Sequence, residues 1–258
     1  MFTNQTAIIT GASGGFGRAA AQRFGALGAN VIISDYDEAG LTETSKILEG
    51  EGIKHAALAG DISIEETSQK LVELAFEKFG GLNIAINNAG IAQEQTRLHQ
   101  TDSAEAKQVI DVDLMGVFYA MKHQLTAMME SKNPDTQRNI VNVSSAAGVM
   151  GAPKLSIYSA AKHGVVGLTR SAATEYARTG IRINCICPAF TRTAMVMDNL
   201  LAPGIDPAEA EAKLVAAIPM RRLGEINEIV QAMTWICSPE NGFYNGQTLS
   251  IDGGLTTF

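Results

Sequence analysis

Residues 6–25 read TAIITGASGGFGRAAAQRFG, and this stretch decides the fold. A short β-branched run, TAIIT, ends in a turn carrying Gly11, Gly14, Gly15 and Gly17, and an alanine-rich segment of helical period begins at once. Glycine reaches positive φ without strain and lets a backbone approach an anion closely. The free N–H groups at the start of the following helix, reinforced by its dipole, suit a pyrophosphate. A glycine turn alone is weak evidence; one set between a strand and a helix is in the context the mechanism needs. A Walker-type loop is excluded, because no Gly-Lys-Ser/Thr follows.

The second β-branched run, NVIISD (30–35), ends on Asp35, eighteen positions after Gly17. A carboxylate there accepts both ribose hydroxyls of an adenosine and repels a 2′-phosphate. Two unit charges about 4 Å apart at an effective dielectric near 20 interact by roughly 4 kcal/mol, enough to disfavour NADP. NAD is therefore the expected cofactor, with Arg18 as a neighbouring cation that could offset the repulsion.

Outward from this unit the pattern repeats. Strand candidates fall at 6–10, 30–35, 55–60, 83–87, 139–144, 181–187 and 248–252, and helices near 15–27, 38–51, 64–79, 103–131, 156–179, 206–217 and 225–238. Alternation of this kind predicts an α/β fold with a parallel sheet and helices on both faces. The strands are apolar on consecutive positions, as burial on both sides requires. No linker or repeat divides the 258 residues, so a single domain over 1–258 is expected. Two stretches are irregular. NPDTQR (133–138) reads as a polar surface turn. The segment 190–220 carries Pro203, Gly204, Pro207, Pro219 and an apolar set (Met195, Val196, Met197, Leu200, Leu201), which suits a substrate lid.

Composition narrows the class. At 46% hydrophobic and 18% charged the chain is globular. A net charge of −7 argues against a broad nucleic-acid surface. No apolar window is long enough to span a membrane. The opening MFTNQTAIITG enters a strand without a charged leader, so a cytoplasmic location is expected. Cys185 and Cys187 alternate in an apolar run and read as small core hydrophobes, and no metal site is expected.

A second motif, YSAAK, sets Tyr158 and Lys162 one helical turn apart on one face. The preceding run NIVNVSSAAG (139–148) ends in Ser144-Ser145 at the carboxyl edge of the sheet, where open α/β folds bind ligands. A secondary alcohol must lose a proton as it gives up hydride. A free tyrosine titrates near 10, and a neighbouring ammonium and an oxidised nicotinamide both favour its phenolate. Ser145 can hold the substrate oxygen while Tyr158 exchanges its proton.

With these residues in place, the chain closely resembles the short-chain dehydrogenase/reductase family. The match includes TGASGGFG (10–17), Asp35, GDI (60–62), NNAG (87–90), Ser145, YSAAK (158–162), the Pro188 segment, RRLGE (221–225) and IDGG (251–254). The resemblance implies a doubly wound, seven-stranded Rossmann sheet. It implies Tyr158 as acid/base, Ser145 as oxyanion partner, and Lys162 as both tuner of the tyrosine and ribose ligand. Gly11, Ser13, Gly15, Phe16 and Gly17 would line the cofactor's phosphates, and Asp61 and Ile62 its adenine. Asn88, Ala89 and Gly90 would follow beside the fourth strand, and Pro188, Thr191 and Thr193 would meet the carboxamide. A homotetramer joined through long helices and the C-terminal strand is also implied, with TLSIDGG (248–254) suited to that interface.

Two positions depart from the family pattern. DVDLMG (111–116) places Asp113 where the family carries Asn, a residue of its proton relay; hydrogen bonding survives the change, but a charge there can move the pH optimum. Ala189 replaces the usual glycine after Pro188. His163 lies about 100° round the helix from the catalytic face and reads as a packing residue, and Trp235 reads as core. Phe190, Met150 and Met195 hint at an apolar, alicyclic substrate, with Met197 a further candidate for the pocket. The expected activity is hydride transfer between NAD(H) and a secondary alcohol or ketone. Two alternatives stand beside it: an NADPH-dependent 3-oxoacyl-thioester reductase, which Asp35 opposes, and a non-catalytic cofactor-binding regulator, which the complete set Ser145, Tyr158 and Lys162 opposes.

Overall fold

The computed structural model describes residues 1–130, 137–200 and 206–257. The doubly apolar runs form seven strands: β1 (Thr6–Thr10), β2 (Asn30–Asp35), β3 (His55–Ala59), β4 (Ile84–Asn87), β5 (Arg138–Val143), β6 (Ile181–Pro188) and β7 (Thr248–Ile251). All pair in parallel, in the order β3-β2-β1-β4-β5-β6-β7. The chain winds from β1 out to β3 and then crosses back to lay β4 beside β1. The winding direction reverses between those two strands, and the crevice at their carboxyl ends is where such sheets take a ligand. The expected α/β, doubly wound Rossmann fold is the observed one.

Nine α-helices are described: α1 (Gly15–Ala26), α2 (Glu38–Gly50), α3 (Glu65–Phe79), α4 (Ser103–Ile110), α5 (Gly116–Glu130), α6 (Ser156–Tyr176), α7 (Ala194–Leu200), α8 (Pro207–Ala217) and α9 (Ile226–Cys237). Successive strand residues face opposite ways. Thus Ile9, Ile33 and Ile86 meet Phe24 of α1 and Ile229 and Met233 of α9 on one face. Ile8, Ile32 and Ile140 meet Leu71 of α3, Met128 of α5 and Val165 of α6 on the other. Cys185 and Cys187 lie in this second core as free thiols, as their apolar setting suggested. Asp37, Asp102 and Asp206 cap α2, α4 and α8 by accepting first-turn N–H bonds.

Four expectations are corrected. The segment 103–131 is not one uninterrupted helix: a π-turn, Asp111–Met115, separates α4 from α5. An extra residue in a turn shifts the buried face by about 100° without ending the helical period, so the segment reads as one helix. Within 190–220 the structure adds α7 ahead of the expected helix at 206–217. His163 is an exposed residue of α6, its Nδ1 2.9 Å from the Ser159 carbonyl, and not a packing residue. Trp235 is 47% exposed and packs edge-on against Tyr244, because α9 buries the stripe through Ile229, Met233 and Ile236 instead. Most of the expected turn at 133–138, and Leu201, Pro203 and Gly204, lie outside the described residues. Among the described residues no helix is long and apolar enough to cross a membrane.

Candidate active site

The glycine turn supplies one wall of the crevice. Gly11 and Gly15 take φ of +69° and +49°, values that suit glycine. A Cβ on Gly17 would lie 2.0 Å from the Gly11 carbonyl oxygen, so α1 can start against the end of β1 only with glycine there. Above the turn there is room: a Cβ on Gly14 would meet nothing within 4 Å. The N-terminus of α1 has no side-chain cap and no acidic residue in its first turn. An open, uncompensated helix N-terminus fits an anionic phosphate, so these residues fit the dinucleotide that the resemblance implies. Ser13 and Asp35 meet directly, the Ser13 N–H donating to Asp35 Oδ2 at 2.8 Å; Asp35 Oδ1 accepts from the Asp37 N–H at 2.9 Å. Arg18 lies against the same turn: Nη2 donates to the Ser13 carbonyl and pairs with Glu43 at 2.9 Å, and Nε donates to Thr44 Oγ1 at 2.9 Å. Phe16 turns into the core beneath the loop.

The end of β4 forms the opposite wall. The N–H groups of Asn88 and Ala89 both donate to Thr10 Oγ1 at 3.1 Å, and Asn88 Nδ2 donates to the Thr10 carbonyl at 3.0 Å. These bonds fix the NNAG turn against the glycine turn. Behind them lies a buried polar chain: Asn87 pairs with Gln124 of α5 and Asn142 of β5, and Asn142 donates to Thr169 of α6. Asp61 Oδ1 accepts from Ser63, and the neighbouring Gly60 N–H donates to the Asp35 carbonyl at 2.9 Å, so the GDI turn borders the Asp35 end of the crevice. Ile62 is buried against Gly116. Pro188 closes β6. Thr191 is buried and bridges to Gly224, and a Cβ on Gly15 would lie 3.9 Å from Thr193 Cγ2. The segment after β6 therefore reaches across to the glycine turn.

Tyr158 and Lys162 stand on α6 at the end of β5. Ser144 Oγ donates to the Lys162 carbonyl at 2.9 Å and Ser159 Oγ donates to the Ala147 carbonyl at 2.8 Å, which docks the turn after Ser145 onto this helix. A Cβ on Gly148 would lie 2.8 Å from the Lys162 carbonyl oxygen, so the close approach depends on glycine. Ser145 Oγ accepts from the Ala147 N–H at 3.2 Å, which orients it at the strand end. Lys162 Nζ lies 5.5 Å from the centroid of the Tyr158 ring and 3.2 Å from Asp113 Oδ2, and it donates to the Val143 carbonyl at 3.4 Å. Asp113 Oδ1 accepts from the Ile91 N–H at 2.8 Å. The π-turn drives Asp113 to 0% exposure, and Gly90 abuts the pair: a Cβ there would sit 3.1 Å from Lys162 Nζ and 3.3 Å from Asp113 Oδ1.

The pair is a buried ion pair. Burial pushes the Lys162 amine down, but the facing Asp113 carboxylate and the Tyr158 phenol outweigh it and hold the amine above the ordinary lysine range. Burial pushes the Asp113 carboxyl up, against the pull of Lys162 and the Ile91 N–H, and leaves it above the usual carboxylate range. The arrangement keeps a positive charge beside a phenol, with a hydroxyl on the adjoining strand end.

Sequence reading did not find the role of Gln93. It is 4% exposed, and its Oε1 accepts the N–H groups of Ile157 and Tyr158 at 3.1 and 3.0 Å. No local pattern marks it, since its partners are more than sixty positions away. The buried chain from Asn87 to Thr169 escaped for the same reason; each member alone is an ordinary polar residue.

Comparisons with known proteins place the chain among relatives of the same fold. Residues 11–256 match the family model described as Enoyl-(Acyl carrier protein) reductase. The chain is 39% identical over 258 residues to the 2,5-dichloro-2,5-cyclohexadiene-1,4-diol dehydrogenase of Sphingobium indicum, with 98% of each chain covered. Levodione reductase superposes with a TM-score of 0.94 at 34% identity, covering 100% of this chain and 99% of the other. A variant of the actinorhodin polyketide ketoreductase, crystallised with NADPH, superposes at 0.93 with 29% identity and 100% of each chain covered.

Proposed function

Because the chain belongs to the short-chain dehydrogenase/reductase family, we propose that it interconverts a secondary alcohol and its ketone on a carbocyclic ring, with NAD(H) as the cofactor. The observation that carries this reading is the buried Lys162–Asp113 pair beside Tyr158 at the end of β5. When bound, the dinucleotide would supply the hydride acceptor or donor. Gly11, Ser13, Gly15 and Gly17 would hold its phosphates, Asp35 the adenosine ribose, Asp61 and Ile62 the adenine, and Lys162 the second ribose. Asn88, Ala89, Gly90, Pro188, Thr191 and Thr193 would line the rest.

In the oxidative direction Tyr158 takes the hydroxyl proton of the alcohol; in the reductive direction it returns it. Lys162 stabilises the negative charge on the phenol oxygen, and Asp113 keeps the ammonium charged and in place. Ser145 donates to the substrate oxygen as it becomes a carbonyl or an alkoxide. The preference for NAD rests on Asp35, with the charge of the neighbouring Arg18 offset by its ion pair with Glu43. The ring substrate is supported by the name of the Sphingobium relative and by the apolar side chains of Met150 and Met195, which are partly exposed. The segment 190–220, in which Arg192 pairs with Glu211 of α8 at 2.9 Å, would serve as the lid.

The test is a screen of cyclic secondary alcohols with NAD, following absorbance of the reduced cofactor, with Tyr158→Phe alongside. Turnover of such an alcohol, lost by more than about a thousandfold in the variant while NADH binding persists, is expected. Normal turnover by Tyr158→Phe would remove the tyrosine from the mechanism.

A further inference from the structure

The start of α6 presents a capping problem. The first N–H groups of a helix need acceptors, and a Ser, Thr, Asp or Asn at the N-cap normally supplies one. Here the N-cap is Leu155, which has no side-chain cap bond. Gln93 does that work from a distant loop: its Oε1 accepts from Ile157 and Tyr158, at the second and third positions of the helix. The two donors settle which amide atom is the oxygen, and Nε2 is left buried with no hydrogen-bond partner among the described residues. Burying an unpaired amide N–H is unfavourable, and the two bonds to the helix start offset that cost.

The loop that carries Gln93 is tied down at each step. Gly90 abuts Lys162 Nζ and Asp113, the Ile91 N–H donates to Asp113 Oδ1, and the Thr96 N–H donates to the Lys154 carbonyl at 3.1 Å. The segment thus runs directly from the NNAG turn to the first turn of the helix that bears Tyr158. We propose that Gln93 is a positioning residue, which fixes the backbone of Tyr158 to the loop expected to line the dinucleotide and so sets the phenol relative to it. The proposal rests on the function given above and deepens it: the tyrosine is registered from the cofactor side of the crevice, not by its own helix alone.

Three variants test this in the full-length protein: Gln93→Leu removes the acceptor, Gln93→Glu keeps it, and Tyr158→Phe is the reference. Amide exchange of peptides covering 155–160 gives a readout independent of turnover. For Gln93→Leu, faster exchange in the first turn of α6 is expected, with the rest of the helix unchanged. Its kcat should fall about 10- to 100-fold, the loss that a displacement of about 1 Å produces, while the KM for NAD changes less than about threefold. Gln93→Glu should restore both the protection and most of the kcat. Wild-type exchange and kcat in Gln93→Leu, a loss of kcat that Glu does not rescue, or a loss that parallels NADH binding and Tm would each overturn it. If Tyr158→Phe is inactive while Gln93→Leu is normal, only this proposal fails; if Tyr158→Phe turns over normally, the function itself fails.

Discussion

Replacing Asp35 by Asn isolates the charge that selects the cofactor. In the wild type the carboxylate accepts from Ser13 and Asp37 at 2.8 and 2.9 Å; the amide keeps one of these acceptors and turns its NH2 toward the other donor, so a thermal melt of the variant accompanies the kinetics. The charge itself is removed. A 2′-phosphate about 4 Å from Asp35 would feel roughly 4 kcal/mol of repulsion at an effective dielectric near 20. Partial exposure of the residue and ordinary salt reduce this to about 2 kcal/mol, or about 30-fold. Steady-state kcat/KM for NADH and NADPH with one ketone, at fixed ionic strength, measures it. The ratio should move about 30-fold toward NADPH, through a gain for NADPH more than a loss for NADH. Adding Glu43→Gln removes the acidic partner of Arg18, 2.9 Å away on a largely exposed side chain, while the guanidinium stays bonded to Thr44 and to the Ser13 carbonyl beside Asp35. A freed surface ion pair is worth up to about 1 kcal/mol, so a further gain of up to about fivefold should follow. A wild type that prefers NADPH, or a ratio that moves less than about threefold, would refute the reasoning.

Other consequences are as specific. Gly90→Ala forces a methyl to 3.1 Å from Lys162 Nζ; kcat should drop about tenfold with a stability loss of about 1–3 kcal/mol, measured by kinetics and thermal melts. Asp113→Asn removes the partner of a buried ammonium, which should cost about 3 kcal/mol and lower Tm by roughly 6–12 °C. Because Asp113 holds the Lys162 amine above its ordinary range, the same variant should lose activity at a lower pH on the alkaline side, read from the kcat–pH profile. Glu228 closes a capping box on α9 and is held at about 2, mainly by its hydrogen bond with Arg222. A depressed carboxyl stabilises the fold above its ordinary value of 4.5 and ceases to do so as pH falls through about 2. Glu228→Gln should therefore melt about 2–4 °C lower at neutral pH, for a loss of about 1 kcal/mol, with the gap closing as acid is added.

Much of this molecule is legible in its sequence because the decisive signals are local. A strand that runs into a glycine turn and then a helix is written in consecutive residues, and so is the one-turn spacing of Tyr158 and Lys162. The carboxylate that ends β2 lies within the same unit. What escaped is either non-local or without periodic trace. Gln93 finds its partners more than sixty residues away, and the π-turn shifts the helical phase without ending the period. His163 and Trp235 are exposed for a simpler reason. The buried stripes of α6 and α9 pass beside them. Asp113 was visible as a departure from the family pattern; its pairing with Lys162 needed the fold.

The buried amide chain has a consequence for assembly of the sheet. Asn87 and Asn142 are direct register partners on β4 and β5, two strands of four and six residues. Sliding one strand by two positions preserves the alternation of faces but would set Asn87 opposite Ile140, pressing an amide into hydrocarbon and stranding Gln124. Misaligned pairings thus lose several hydrogen bonds at once, whereas oily side chains alone would tolerate the slip. Four polar residues serve as a checksum on strand alignment, and the same alignment sets the height of the sheet edge on which Asn88 and Ser145 stand.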